Sequence, residues 1–272
     1  MFSKEAIIET MTLDRAVDTL WRMTPVLVVL AGLLLAEWRW PWRSAQPRRW
    51  AANAALGGLS FLAVLLLPIA SMTAAAQWAA AQSFGLLHLV ELPLWLNVLL
   101  ALLALDLALY IQHRALHSAP LWRLHRIHHL DPMLDVTSGV RFHPFEAMAS
   151  ALYKSLIVLL LGAPVAAAAL SATLTLLASL FTHANIRIPQ PFERLLRSAL
   201  VTPALHRIHH STLPAETRSN FGSVLWLWDR LFGSARAEAA AGEGLTLGVS
   251  EMPPVTDLDQ MLAEPFKKPA VQ

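Results

Sequence analysis

Residues 101–117 read ALLALDLALYIQHRALH, an apolar run of helical length that ends in two histidines. Along this run Asp106, Tyr110, His113 and His117 follow one another at spacings of four, three and four residues. Residues three or four apart share one face of an α-helix, so the run predicts a helix with a polar stripe on an apolar body. An acid inside a membrane helix is a functional candidate, because burying its charge is costly. The stretch therefore predicts a membrane helix that delivers histidines to a site at its end.

The composition of the whole chain indicates a membrane protein. Of its 272 residues, 56% are hydrophobic and 15% are charged, and the mean hydropathy is +0.48; soluble domains carry about 25% charged residues. The chain has no cysteine, which excludes disulfides, thiolate metal sites and cysteine nucleophiles. Its net charge of +2, without a basic stripe interleaved with aromatic residues, gives no indication of nucleic-acid binding.

Apolar stretches predict an all-α fold with three membrane crossings and a helical hairpin. A bilayer core of about 30 Å takes about 20 helical residues, so the first three stretches each suit one crossing. The fourth is long enough for two helices, and Gly162-Ala163-Pro164 predicts the turn of a membrane hairpin over 147–182. The four stretches are Met23–Ala36, Ala51–Ala70, Leu92–Tyr110 and Met148–Phe181.

Charge asymmetry between the loops predicts the orientation. The loop after the first crossing is rich in arginine, whereas Ser71–Glu91 contains no lysine or arginine. The positive-inside rule places the arginine-rich loop in the cytoplasm, so we expect a multi-pass protein of the inner membrane. Ten of the eleven histidines then fall on the cytoplasmic side, in a histidine-rich helical cap, and His88 alone falls on the other. The loop arginines are Arg39, Arg43, Arg48 and Arg49.

Histidine spacing predicts metal binding. HRALH places histidines at i and i+4, and the pentapeptide HRIHH, which occurs at 125–129 and again at 206–210, places them at i, i+3 and i+4. Neutral imidazole is a common ligand of Fe, Zn, Cu and Ni, so these are three prealigned ligand faces. Eight imidazoles exceed the needs of one tetrahedral zinc and suit two metal ions. The eight are His113, His117, His125, His128, His129, His206, His209 and His210, with His183 and His143 as further candidates.

Two carboxylates are candidates to support these ligands. A ligating histidine normally donates its other N–H to a carboxylate or a carbonyl. Asp106 lies one or two turns before the first histidines of its helix, and Glu146 lies in the segment RFHPFE. The alternative for Asp106 is a structural hydrogen bond to another helix.

Three histidine segments together resemble the fatty acid hydroxylase / sterol desaturase superfamily of integral-membrane di-iron oxygenases. These segments are HRALH, LWRLHRIHH and TPALHRIHH, and RFHPFE, FTHANI and SNFGSVLWLWDRLFG strengthen the likeness, which extends from about Asp106 to Gly233. The resemblance implies two iron ions held by the eight histidines, with His183 as a further ligand. Asn185, Asn220 and Asp229 fall in family-like motifs and are expected in supporting or structural roles.

The resemblance also implies an activity. Such an oxygenase uses O2 and two external electrons to hydroxylate or desaturate an unactivated C–H bond of a lipid, and the expected electron donor is a ferredoxin or a b-type cytochrome with its reductase. Sterols, fatty acyl chains, carotenoids and ether lipids all remain open as substrates. A metal-ion transporter or metal-binding membrane protein is the alternative, and a bis-histidine haem protein is a third.

We expect three parts along the chain. Residues 1–110 form N-terminal transmembrane helices, 106–235 form the catalytic domain with its membrane hairpin, and 236–272 form a loosely ordered tail.

Overall fold

The computed structural model describes residues 24–67 and 70–267. Helices account for its regular structure, and within these ranges no β-strand forms beyond isolated bridges. The helices are α1 (24–39), α2 (Trp50–Leu65), α3 (Met72–Ala81), α4 (Leu94–Leu116), α5 (Ala119–His129), α6 (Pro144–Leu161), α7 (Val165–His183), α8 (Gln190–Leu196), α9 (Pro203–His209), α10 (Pro214–Thr217), α11 (Leu227–Phe232) and α12 (Leu258–Ala263).

Three of these helices, α4, α6 and α7, are long and apolar enough to cross a membrane. They contain 23, 18 and 19 residues and correspond to the predicted third crossing and to the two helices of the predicted hairpin. With α3 they enclose a core of small and apolar side chains that includes Ala76, Ala101, Ala167 and Ala168. Small residues let membrane helices approach closely, which replaces the hydrophobic driving force that lipid does not supply.

The hairpin turn lies at the predicted Gly-Ala-Pro break. Gly162 adopts a left-handed conformation (φ +64°) that ends α6, and α7 begins directly after Pro164. A β-carbon on Gly162 would lie 2.5 Å from the carbonyl oxygen of Phe84. Glycine is thus required both by the backbone angle and by the close approach of the neighbouring chain.

The second predicted crossing is shorter than expected, whereas the described part of α1 extends beyond Ala36, the predicted end of the first crossing. Trp50–Leu65 of α2 comprises 16 residues, or about 24 Å of helix against a bilayer core of about 30 Å. The second ends at Leu65 rather than Ala70, shortly before Pro68, a residue type that disfavours helix in the residue preceding it. Part of the predicted external loop forms α3, which packs against α6 and α7. Full crossings by α1 and α2 remain a prediction.

The tail predicted as loosely ordered is packed over much of its described length. Val255 and the fully buried Met261 lie in one core cluster with Leu56, Ile127 and Leu130. Arg126 of α5 forms a buried ion pair of 3.1 Å with Glu264, just after α12. Other apolar residues of the tail, Met252 and Leu258 among them, pack against the same cluster, which contains residues of α2 and α5.

Candidate metal centre

Four helices bring nine histidines together at one end of the membrane bundle. The end of α4 contributes two, α5 contributes three, the last residue of α7 contributes one, and α9 with its C-cap contributes three. Eight of the nine are buried, and His113 is partly buried. The three predicted ligand faces and His183 therefore meet in one place. The nine are His113, His117, His125, His128, His129, His183, His206, His209 and His210.

The nine side chains form two groups in which the candidate ligand atoms lie within 4.8 Å of one another. The five-histidine group is His113, His117, His125, His129 and His209. The four-histidine group is His128, His183, His206 and His210. Each pentapeptide contributes to both groups. The i and i+4 histidines of the first pentapeptide belong to the five-histidine group, and its i+3 histidine belongs to the four-histidine group. In the second pentapeptide the i and i+4 histidines belong to the four-histidine group, and the i+3 histidine belongs to the five-histidine group.

Helix geometry explains this division. Successive residues are rotated by about 100°, so positions i and i+4 differ by only about 40° whereas i+3 and i+4 differ by about 100°. The i and i+4 rings of one pentapeptide therefore converge on one centre, and the i+3 ring faces the neighbouring centre. The repeated HRIHH thus contributes histidines to two adjacent groups that could each hold a metal ion.

Several of the rings are oriented by hydrogen bonds from Nδ1. His113 donates to the carbonyl oxygen of Phe221 at 2.8 Å, and His209 donates to that of Ser219 at 2.7 Å. A carbonyl can only accept, so Nδ1 carries the hydrogen and Nε2 keeps its lone pair. The Nε2 atoms of both rings are buried without a hydrogen-bond partner, as is that of His125. A buried polar atom without a partner is costly, and a metal ion would satisfy all three.

In the four-histidine group, the Nε2 atoms of two rings lie in close contact. His128 Nδ1 lies 3.3 Å from the carbonyl oxygen of Arg141, and His183 donates from Nδ1 to that of Ser179 at 2.7 Å. Their Nε2 atoms therefore both present lone pairs, and these atoms lie 3.0 Å apart. Two lone pairs at this distance repel unless a cation lies between them. Two ligands each about 2.1 Å from one metal ion, at a right angle, would be about 3.0 Å apart.

The protonation state also suits metal binding. Burial, followed by the repulsion of neighbouring imidazoles, lowers the pKa of His128, His129, His206 and His210 well below the usual value. Burial likewise lowers the pKa of His209 to about 3. The rings are neutral at physiological pH, which is the form that binds a metal.

Glu146 supports one ligand directly. Its Oε1 accepts a hydrogen bond of 2.7 Å from Nδ1 of His125, and both side chains are buried. This is the carboxylate–histidine arrangement that orients metal ligands.

Of the two interpretations of Asp106, the structure favours the structural hydrogen bond over direct support of a histidine. Its carboxylate accepts hydrogen bonds from the backbone N–H groups of Val224 and Leu225 at 3.2 Å and from Nε1 of Trp228 at 2.9 Å. Asp229 similarly accepts from the N–H groups of Phe221 and Gly222, both at 2.8 Å. Both acids hold the loop that contains Phe221, and the carbonyl oxygen of Phe221 orients His113. Asp106 therefore supports the position of this loop, and its effect on His113 is indirect.

Three other predicted residues lie outside both groups. Asn185 binds the backbone of Arg43, and Asn220, in a left-handed conformation (φ +52°), donates to the carbonyl oxygens of Leu205 and Arg236. His143 caps α6 by accepting from the N–H of Phe145 at 3.2 Å. The two asparagines thus stabilise the backbone of neighbouring segments. His143 belongs to neither histidine group. The role of His143 as a helix cap is one that histidine spacing alone does not reveal.

A cavity of about 420 Å³ leads from the membrane helices to the histidines. Its walls come from α2, α4, α6 and α7, with apolar side chains such as Phe61, Val64 and Leu176. The wall also includes His113, His125, His128, His183 and His206, from both groups. An apolar chain that entered between the helices would thus reach the candidate metal centre.

Comparisons with known proteins agree with this geometry. The fatty acid hydroxylase family model matches residues 98–234, which is half of the chain. Ornithine lipid hydroxylase OlsE of Rhizobium tropici is 34% identical over 143 residues, covering 52% of this chain and 42% of that protein. Alkylglycerol monooxygenase of Danio rerio is 29% identical over 157 residues (56% and 34%), and that of Homo sapiens 27% over 158 residues (57% and 34%). The chain thus spans less than half the length of these relatives. No solved structure matches.

Proposed function

We propose that this chain, which belongs to the fatty acid hydroxylase family, is a membrane-bound oxygenase. It would use two iron ions to hydroxylate or desaturate an unactivated C–H bond of a lipid. The observation that carries the proposal is the pair of adjacent histidine groups at the end of a cavity between apolar helices. The names of the relatives, a lipid hydroxylase and an alkylglycerol monooxygenase, support the same class of reaction.

The donor set favours iron over zinc. Zinc in proteins is almost always four-coordinate, and a catalytic zinc takes three protein ligands. The five-histidine group exceeds that number, whereas a metal of higher coordination number accommodates it. Imidazole suits iron as well as zinc, and cysteine thiolate ligands are absent from the sequence. Two groups side by side support a di-iron centre.

The residues of the chain would hold and position the reactants. Bound there, two irons would supply the O2 activation and redox chemistry that no side chain provides. Glu146 and the backbone carbonyls keep the histidine Nε2 atoms directed inward. The cavity would align a hydrocarbon chain against the histidines and exclude water. Two electrons per turnover would come from an external donor, a ferredoxin or a b-type cytochrome with its reductase.

We further propose that the protein lies in the inner membrane with this site on the cytoplasmic side. The arginine-rich loop lies against the histidine cap, since Arg43 donates to the carbonyl oxygen of Leu245 at 2.6 Å and its backbone binds Asn185. The positive-inside rule therefore applies to the loop and to the histidines together.

The metal-transporter alternative loses its main support. Transport would need ionisable ligands along the crossings, and Asp106 was the clearest candidate. Its carboxylate is already bound by two backbone N–H groups and an indole N–H.

Comparative lipid mass spectrometry tests the proposal. Membranes of cells that express the wild-type protein are compared with membranes that carry His128→Ala, with exposed His88→Ala as the matched control. We expect a lipid that gains one oxygen atom or loses two hydrogen atoms in the wild type and in the His88 variant alone. Normal product in the His128 variant, or zinc without iron in protein from iron-replete cells, would contradict the proposal.

A further inference from the structure

One cationic side chain lines the cavity deep within a membrane helix. Lys154 is the eleventh of the 18 residues of α6 and contributes to the cavity wall. Glu146, Ser150 and Lys154 follow one another at four-residue spacing, and all three line the cavity. They form a polar stripe on the inward face of a helix that otherwise presents leucines such as Leu152 and Leu156 to the outside.

This position is costly for a lysine. A charged residue near the centre of a membrane helix is costly, because the hydrocarbon core does not solvate its charge. Lysines near helix ends reduce the cost by extending to the interface. Lys154 lies about 15 Å from the start of α6 and about 10 Å from its end, so it is poorly placed for that escape.

Within residues 24–67 and 70–267 the ammonium group of Lys154 has no hydrogen-bond or ion-pair partner. Glu146 is the carboxylate of the cavity wall, and it is engaged by His125 at 2.7 Å. It also lies eight residues away, about 12 Å along the helix axis. Lys154 is therefore not paired with Glu146.

A second donor stands beside it. Gln112 of α4 donates from Nε2 to the hydroxyl oxygen of Ser150 at 2.8 Å, and both residues line the cavity. A hydroxyl that accepts one hydrogen bond still has its own hydrogen to donate. Ser150 can direct that hydrogen into the cavity one turn from Lys154. An ammonium and a hydroxyl donor in an apolar cavity form a receptor for an anion.

We propose that Lys154 binds the anionic group, a carboxylate or a phosphate, of an acidic amphiphile whose hydrocarbon chain occupies the cavity toward the histidines. The inference names a substrate class and rests on the proposed oxygenase function. Lys154 would act as a specificity determinant, because a neutral lipid would leave its charge unpaired in a low-dielectric site.

Ligand binding to the full-length protein in nanodiscs of neutral lipid tests this inference without turnover. The probes are oleate, oleyl alcohol as its uncharged counterpart, and a monoacylglycerol phosphate, each competing with a fluorescent fatty acid. We expect wild-type protein to bind an anionic probe at least about tenfold tighter than oleyl alcohol, as a charge-assisted hydrogen bond of about 1.5–3 kcal/mol implies. Whichever of oleate and the phosphate binds tighter identifies the anion.

Variants assign the preference to the side chain. Lys154→Met should bind oleate and oleyl alcohol alike, with the affinity for the alcohol unchanged, and Lys154→Arg should retain the preference. Arg194→Met, which removes an exposed charge outside the cavity, is the control. Equal binding of anion and alcohol by the wild type, or a preference that survives Lys154→Met, would overturn the inference. If Lys154→Met does not fold, the polar but uncharged Lys154→Gln variant makes the same test, and a preference that survives it would likewise overturn the inference.

Metal analysis and oxygenation assays on the same samples separate the two proposals. Iron-dependent oxygenation without an anion preference would refute the role of Lys154 alone. An anion preference in a protein that binds no iron and oxidises no lipid would refute the oxygenase function and leave a lipid-binding site.

Discussion

His129 and His210, the last residues of the two identical pentapeptides, stack with ring centroids 4.2 Å apart and planes 15° from parallel. They belong to different histidine groups, so this stacked pair lies at the boundary between the two candidate metal sites. The two groups pack against each other but share no histidine, so we expect the effects of single substitutions to be separable.

Loss of one ligand should matter more in the smaller group. His183→Ala leaves three histidines in the four-histidine group, whereas His117→Ala leaves four in the other. We expect His183→Ala to abolish activity and lose the metal of its group, and His117→Ala to retain more metal. Elemental analysis of purified protein measures this, with His143→Ala as a control that keeps the full content. Equal metal loss in all three variants would contradict the grouping.

Glu146 should tune metal retention through His125. Removing such a supporting carboxylate typically costs about 10–100-fold in metal affinity or activity. We expect Glu146→Ala to release metal faster to a chelator, and Glu146→Gln, which can still accept from Nδ1, to be intermediate. Wild-type release kinetics in Glu146→Ala would show that the 2.7 Å contact does not orient the ligand.

Asp106 should affect stability more than metal content. Asp106→Ala removes an acceptor of three hydrogen bonds in the loop that supports His113. Hydrogen bonds to a charged group contribute about 1.5–3 kcal/mol, so we expect a clearly lower melting temperature with metal still bound. Thermal unfolding followed alongside metal analysis separates the two effects. Loss of metal with an unchanged melting temperature would instead restore Asp106 as a direct support of the ligands.

We expect the hairpin turn not to tolerate a β-carbon at position 162. Gly162→Ala places an alanine at φ +64° with its β-carbon 2.5 Å from the carbonyl oxygen of Phe84, so we expect destabilisation of more than about 1 kcal/mol. Gly32→Ala is the matched control, because Gly32 is helical with open space around it. That substitution should be neutral or stabilising by about 0.5–1 kcal/mol. A Gly162 variant that unfolds at the wild-type temperature would argue against this turn.

Local sequence determined much of the candidate site. Helical spacing alone brings the histidines of HRALH and of each HRIHH onto common faces, and hydropathy alone identifies the helices that contain or flank them. Local spacing did not indicate the roles of residues whose contacts lie far away in the sequence. His143 serves as a helix cap, Asp106 binds a loop more than 100 residues away, and the tail packs against α2 and α5 through apolar residues of a segment that was predicted to be loosely ordered.

The sequence by itself determined a helical membrane protein with three faces of metal-binding residues, because both properties follow from periodicity and apolar length within single helices. Only the tertiary structure decided which imidazoles share a centre, which carboxylate orients them and that Lys154 faces the cavity. These depend on how α4, α5, α6, α7 and α9 pack around one another. The packing, and not local helical geometry, brings together residues 21 apart in the chain (His125 and Glu146) or 55 apart (His128 and His183).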